Sequence, residues 1–558
     1  MRQDLRSVPF FSNVPDAVLG EIEKRTKREH YHKGDLVCSE GDIGDSMYII
    51  ESGQVKIFTE VEGQERVFSY LNPGNFFGES ALLTGEPRSA SVRVTIDSDL
   101  VVITKSALDE LIEKYPVIAV DLSRELGRRL AHAGRTPLQL EANNMVAITG
   151  SWALDVAKRL AEITHEDIFL LDAGGLGNIP INQNELAQLS VMVARASGSL
   201  TEENMPLRLS ALVQEYYWMI VAIPTEANPV TRKAVELADA TAHFGDQPLP
   251  WLAEAAGKNY WHVPANDRMI DRIARRMAQR TVGVALSSGS ARGLAHIGVL
   301  KVFEEEHIPI DMVAATSMGS IIGALYCAGH TIESLTKVAR RMGNQINPLK
   351  DFSLFDFAVL PRSGFIRGDK MREYFRRLLD DRHFEDLETP LTIVATDVIT
   401  GEEIIFDSGP LAEAVRASVA IIGVFEPAHV ANRYLVDGGA VNPVPTNLLA
   451  DRGTNIIVGS SVIPSLRDRV HRKQQMQSGK APNILGVYFG YMEIMESEII
   501  KTRVQPMQIM IQPDVVRYTT LDFTKTDELI AVGETAARQQ IGRIRQMLAP
   551  RPRPRPGS

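Results

Sequence analysis

Two apolar runs in the C-terminal half each pass through a loop of small residues and reopen as a helix. The first, Val282 to Leu286, enters Ser287-Ser288-Gly289-Ser290-Ala291-Arg292-Gly293 before the helical stretch from Leu294 to Leu300. The second, Val313 to Thr316, turns at Ser317 into Met318-Gly319-Ser320 and the helical stretch Ile321 to Tyr326. Ser317 comes one helix and one strand after Gly293, the separation that returns a parallel strand beside the first. A tight strand-to-helix turn lifts a serine hydroxyl clear of the backbone and aims a helix N-terminus at developing negative charge. Ser317 is therefore a candidate nucleophile. The first loop leaves several N–H groups without helical partners, so it is a candidate oxyanion hole.

A serine needs a base. In Tyr434-Leu435-Val436-Asp437-Gly438-Gly439-Ala440 an acid ends an apolar strand and two glycines allow close backbone approach, so Asp437 can serve. The three segments, in this order, resemble the patatin-like phospholipase family, and the resemblance spans about 280 to 450. It extends to Ser363-Gly364-Phe365-Ile366-Arg367-Gly368-Asp369 and to Ala417 through Phe425. It implies an α/β hydrolase domain over 281–450, a Ser317–Asp437 dyad without histidine, and oxyanion donors near Gly289, Ser290 and Met318. Neither a metal nor a catalytic cofactor is expected. His471 lies in the charged stretch from Arg467 to Lys473 and reads as a surface residue, and His296 reads as a support for the glycine loop.

The chain departs from the family at three places. The usual loop G-G-G-x-R-G becomes Ser288-Gly289-Ser290-Ala291-Arg292-Gly293, and the first glycine of G-x-S-x-G becomes Ala315. If either serine needs φ above zero it costs about 1 kcal/mol or more. Loss of one oxyanion donor costs about 10² to 10³ in rate. A weakened or inactive hydrolase acting as a sensor or scaffold is thus the alternative.

Farther upstream, from about Tyr31 to Lys105, short runs alternate apolar and polar residues, as in Ser46 to Ile50 and Gln54 to Phe58. Gly34, Gly41, Gly44, Gly53, Gly63 and Gly74 punctuate them, which predicts a β jelly roll. Flanking helices are expected around Val18, Leu19 and Ile22, and over Leu108, Leu111, Ile112, Leu122, Leu126 and Leu130. Phe76-Phe77-Gly78-Glu79-Ser80 through Arg88-Ser89-Ala90-Ser91 offers a Gly-started turn of N–H groups, a carboxylate and an arginine. It resembles the phosphate-binding cassette of cyclic nucleotide-binding domains. By position, Glu79 would hold a ribose hydroxyl, Arg88 the cyclic phosphate, and Gly78, Ser80 and Ser89 would donate, with Ser91 biasing the purine. cAMP or cGMP would then be an allosteric ligand. The competing reading is a degenerate module whose Arg88 pairs an internal carboxylate.

Between the two lies a small α/β region over 145–280, read from the strand-like runs 145–148, 168–172 and 218–223 and the helical stretches between them. Asp172-Ala173-Gly174-Gly175-Leu176-Gly177 reads as a turn, because no phosphate-binding motif surrounds it. Proteins resembling neuropathy target esterase carry a comparable region in this position. The expected organisation is therefore multi-domain: 1–131 cyclic nucleotide-binding, 132–144 linker, 145–280 middle α/β, 281–450 hydrolase, 451–548 its extension, and 549–558 an Arg/Pro tail disordered by composition.

At 558 residues the chain is too long for one core. A formal charge of -10 argues against a nucleic-acid partner. No apolar stretch reaches the roughly 20 residues of a membrane span, and Cys38 and Cys327 are too few for a disulfide framework, so a cytoplasmic protein is expected. A lipid acyl ester is the expected substrate. Homo-oligomerisation and peripheral membrane contact stay open. The aromatic stretch from Leu349 to Phe365 could equally line an acyl channel, form a lid or belong to the core.

Overall fold

The computed structural model describes residues 26–61, 64–71, 73–115, 118, 144–196, 200–345, 356, 364–465, 484–503 and 506–550. The chain divides into two compact units, one up to Ala278 and one from Gln279 to Ala549. The first unit holds two sheets and the second holds one.

The N-terminal sheet is antiparallel and comprises β1 (Lys27–Tyr31), β2 (Leu36–Cys38), β3 (Ser46–Val61), β4 (Gln64–Leu71), β5 (Phe76–Phe77) and β6 (Ser91–Thr104). Its order is β1-β6-β3-β4, with β2 on β6 and β5 on β3. Gly53 does not end a strand as its spacing suggested. It lies inside the long β3 at φ 89°, where the register against β6 slips on either side of Ser52. A bulge, which only a residue free to take positive φ accommodates cheaply, bends one strand where two were expected. Met47, Ile49, Phe76, Val101 and Ile103 pack on Leu108 and Leu111 of the helix Lys105–Lys114. Ile112 of the same helix packs against this cluster, and the expected Val18, Leu19, Ile22, Leu122, Leu126 and Leu130 lie outside the described residues.

The second sheet contains six parallel strands: β7 (Met145–Thr149), β8 (Ile168–Asp172), β9 (Val191–Arg195), β10 (Trp218–Ile223), β11 (Ala240–Phe244) and β12 (Tyr260–Val263), ordered β12-β11-β7-β10-β8-β9. The three runs read from sequence are the fully buried β7, β8 and β10. The carboxylate of Asp172 accepts the N–H groups of Gly174 and Leu176 at 2.9 and 3.1 Å, the internal capping of an ordinary turn. Within this first unit the two sheets share contacts. Ile96 of β6 belongs to the core around Met145 and Val221, and Lys233 pairs with Asp97 at 3.0 Å.

The third sheet positions the candidate site. It contains β13 (Val282–Leu286), β14 (Met312–Thr316), β15 (Leu391–Asp397), β16 (Glu403–Phe406), β17 (Ala428–Val430), β18 (Arg433–Asp437), β19 (Ile456–Ser460) and β20 (Ile509–Ile511). Its order is β17-β18-β15-β14-β13-β19-β20, with β16 on β15. β13 and β14 pair in parallel, as the spacing of the two loops required. β18 runs antiparallel to β15 and ends with Asp437 opposite Ala395, one step from the level at which β14 ends with Thr316 opposite Val394. The helix Thr526–Leu548 lies on Ala295–Glu305 so closely that a Cβ at Gly298 would stand 2.0 Å from the Ile530 carbonyl, and one at Gly533 1.9 Å from that of Ala295. Among the described residues no helix is long and apolar enough to cross a membrane.

Candidate active site

Ser317 joins β14 to the helix Met318–Cys327 with φ 53° and ψ -121°, a conformation that L-residues hold only at a cost of about 1–3 kcal/mol. Two glycines make room for the turn. A Cβ at Gly319 would stand 2.3 Å from the Leu286 carbonyl, and one at Gly323 3.3 Å from the Ala315 methyl. Ala315 therefore fits where the family has glycine, because Gly323 leaves its methyl the space. The Ser317 amide donates to Ser418 Oγ at 2.8 Å, and the Ser320 hydroxyl donates to the Ser317 carbonyl at 2.6 Å, fixing both sides of the elbow.

The Ser317 hydroxyl donates to Asp437 Oδ2 at 2.5 Å. Asp437 Oδ1 accepts the Gly439 amide at 2.8 Å, and the Asp437 carbonyl accepts the Thr396 hydroxyl at 3.0 Å. Gly438 is obligatory here, because a Cβ would lie 2.3 Å from the Val394 carbonyl. Only 8 % of Asp437 is exposed. Burial pushes its carboxyl up to about 6, against the opposite pull of the Ser317 hydroxyl and the Gly439 amide.

Ser290 takes φ 50° and Gly289 φ 147°, whereas Ser288 is not among the residues at positive φ. The strain expected of the two serines thus falls on Ser290 alone. In this loop the Ser288 amide donates to the Pro443 carbonyl at 3.0 Å and the Ala291 amide to that of Thr520 at 3.2 Å. The amides of Gly289, Ser290 and Met318 donate to no backbone carbonyl among the described residues. Arg292, 1 % exposed, donates to the Tyr518 carbonyl at 2.8 Å and pairs with Glu493 at 2.7 Å. Gly293 has no room for a side chain, since a Cβ would lie 2.4 Å from Met318 Cγ. His296 is wholly buried. Its Nε2 faces the Ser287 carbonyl at 3.0 Å, which can only accept, so that nitrogen carries the proton and Nδ1 accepts from Ser460 Oγ at 2.8 Å. Burial holds it down at about 4, so it braces the loop as a neutral ring. His471 lies outside the described residues.

Ser317 stands between two cavities. One, of about 210 Å³, is almost wholly apolar, lined by Met318, Ile321, Met342, Ile366, Met371, Tyr374, Phe375, Val419, Ile421, Val424, Phe425, Phe489, Leu521 and Phe523. The other is smaller and mixed, with Ser288, Gly289, Ser290, Arg292, Asp437, Glu493 and Glu496 beside Ile421, Ile422, Val462, Ile463, Phe489 and Met492. Most of the aromatic stretch from Leu349 to Phe365 lies outside the described residues; Phe365 is 63 % exposed, and its neighbour Ile366 lines the cavity. Sequence reasoning missed Glu496. This residue of the helix Ile484–Arg503 accepts the Ser288 hydroxyl at 2.5 Å, and burial pushes its carboxyl up to about 8.

In the N-terminal sheet, Gly78 at φ 83° opens the short helix Glu79–Thr84, and Arg88 folds back on it. Arg88, 5 % exposed, donates to the carbonyls of Gly78 at 2.8 Å and Ser46 at 2.6 Å, and its Nε has no partner among the described residues. No carboxylate pairs with it among the described residues. Glu79 is buried, while Ser80 and Ser89 are exposed. The Ser91 hydroxyl accepts the Glu40 amide at 2.9 Å.

A strand-end serine on an elbow, faced by an aspartate beside a glycine loop, defines a class. The profile of the patatin-like phospholipase family matches residues 284–450, and that of the cyclic nucleotide-binding domain matches 28–115. The chain carries a patatin-like domain behind a cyclic nucleotide-binding domain. It is 25 % identical to an uncharacterized NTE family protein of Mycobacterium tuberculosis, across 97 % of this chain and 96 % of that one. Patatin-like phospholipase domain-containing protein 7 of Mus musculus is 22 % identical, across 93 % of this chain and 46 % of its own. Lysophospholipase NTE1 of Coccidioides immitis is 21 % identical, across 92 % and 40 %. The family evidence is for a hydrolase acting on lipid esters.

Proposed function

We propose that the protein is a serine esterase that cleaves a lysophospholipid or related acyl ester with Ser317 and Asp437, under the control of a cyclic nucleotide held in the N-terminal jelly roll. The observation that carries this is the 2.5 Å hydrogen bond from the Ser317 hydroxyl to Asp437 at the meeting of an apolar cavity and a smaller recess of mixed lining.

The acyl chain lies in the apolar cavity and the ester carbonyl at the elbow. Asp437 takes the Ser317 proton as Oγ attacks the carbonyl carbon, and negative charge gathers on the carbonyl oxygen. The amides of Gly289, Ser290 and Met318 receive that charge, being among the donors of the two loops that neighbouring carbonyls leave unengaged. The alcohol departs with the proton from Asp437. Water then gives a proton to Asp437 and its oxygen to the acyl carbon, which frees the fatty acid and restores the Ser317 hydroxyl.

In the N-terminal domain the cyclic phosphate pairs with Arg88. A buried guanidinium without a carboxylate partner is costly, and an anionic ligand offsets that cost. Hydrolysis of a panel of lysophospholipids and p-nitrophenyl esters, with and without cAMP or cGMP, tests the proposal. Activity abolished by Ser317→Ala supports the esterase; a wild type inactive on every ester and with every nucleotide refutes it. Rates that respond to nucleotide in the wild type and not in Arg88→Ala support the control.

A further inference from the structure

We infer that Glu496 is a positioning residue of the active site: through the Ser288 hydroxyl it ties the oxyanion loop to the Asp437 turn, and it must be neutral for the site to work. The inference rests on the esterase function proposed above.

Three oxygens meet at one point. A Cβ built on Gly439 would stand 2.5 Å from Glu496 Oε1, 3.1 Å from Asp437 Oδ1 and 3.2 Å from Ser288 Oγ. Gly439 is thus the gap through which a second carboxylate reaches the base. The Ser288 hydroxyl closes the connection at 2.5 Å from Glu496, a contact that the family's glycine at this place cannot make. One turn earlier on the same helix, Glu493 pairs with Arg292 at 2.7 Å. The helix therefore grips the oxyanion loop at both of its ends.

The groups facing Glu496 are Ser288 from the loop, Asp437 from the end of β18, Arg292 from the turn that follows the loop, and Glu493 from its own helix. Desolvation, with Asp437 and Glu493 adding to it, pushes the Glu496 carboxyl up to about 8; the Ser288 hydroxyl and Arg292 act in the opposite sense. Asp437 ionises at about 6. Between these values Asp437 carries the recess's one negative charge not paired with a cation, Glu493 being paired with Arg292, and Glu496 is neutral. Above about 8 a second charge appears beside the first, in the space where the oxyanion must form. That charge opposes the transition state and makes Asp437 harder to keep ionised. Two carboxylates set apart in this way confine activity to a window of pH.

The test is kcat/KM for a short-chain p-nitrophenyl ester from pH 5 to 10, with the full chain as wild type, Glu496→Gln and Ser288→Gly. Fluorophosphonate inactivation rates over the same range give a second readout. The wild type should fall about tenfold for each pH step above 8. Glu496→Gln should lose that alkaline limb and keep the acid limb. Ser288→Gly removes a contact that holds the Glu496 carboxyl down, so its alkaline limb should move to higher pH. If Glu496→Gln does not fold, the Ser288→Gly shift decides. An active wild type without an alkaline limb, a limb unchanged in Glu496→Gln, or a limb unmoved in Ser288→Gly overturns the inference and leaves the esterase standing. An inactive wild type overturns both.

Discussion

Asp437→Asn should raise stability and lower activity together. The buried carboxyl is held about two pH steps above its ordinary 3.8, at about 6, so the folded state binds its proton more tightly than the unfolded chain. Stability is then greatest below 3.8 and falls as the pH rises through about 6. At about 1.4 kcal/mol for each tenfold change in proton affinity, the ionised group costs up to about 3 kcal/mol at pH 7.5. Asparagine carries no charge and avoids that cost, which corresponds to a rise in Tm of several degrees for a unit of this size. The activity moves the other way for a reason fixed by Gly439. Its amide donates to Oδ1, so the asparagine oxygen takes that place and the amide nitrogen turns toward Ser317. The serine hydroxyl then faces a donor where it had an acceptor, and kcat should fall by about 10² to 10⁴. Differential scanning calorimetry at pH 5 and 7.5, beside ester hydrolysis, measures both effects. The gain in Tm should shrink at pH 5. A variant that is destabilised at pH 7.5, or that retains wild-type kcat, refutes the reasoning.

Other outcomes follow from the same geometry. In the wild type kcat/KM should rise through a pH of about 6 as Asp437 ionises, and a profile flat from pH 5 to 7 would contradict that assignment. Gly319→Ala drives a methyl to 2.3 Å from the Leu286 carbonyl, so it should cost about 1–3 kcal/mol in denaturant unfolding and lower activity by displacing the elbow. Arg88→Ala should abolish heat of binding for cAMP or cGMP in calorimetry, with basal esterase activity unchanged in the absence of nucleotide; undiminished binding would remove Arg88 from the phosphate site.

Ser317 and Asp437 were legible because each is written locally, by a strand that ends in a turn of small residues, and the parallel pairing of β13 and β14 follows from the length of one crossover. The middle sheet was half legible. The runs of β7, β8 and β10 are buried on both faces and read as continuous apolar segments, while β11 and β12 carry histidines and β9 ends in Arg195. The bulge at Gly53 looked like a turn, since both demand positive φ and only pairing with β6 tells them apart. Glu496 was hidden. In the stretch from Glu493 to Glu498 three closely spaced acids look like a solvated face, and nothing local says that the helix covers the glycine loop. The one available clue was chemical: Ser288 places a hydroxyl where the family has none, and a buried hydroxyl requires a partner. The apolar cavity was illegible for a similar reason, because its lining comes from segments as distant as Met318, Met371, Val424, Phe489 and Leu521.

The most direct test of the central claim is mass spectrometry of the full chain after reaction with a fluorophosphonate. One adduct is predicted, on the peptide that contains Ser317, absent from Ser317→Ala and formed far more slowly in Asp437→Asn. No adduct in the wild type, or labelling that persists in Ser317→Ala, would contradict the assignment of Ser317 as the nucleophile.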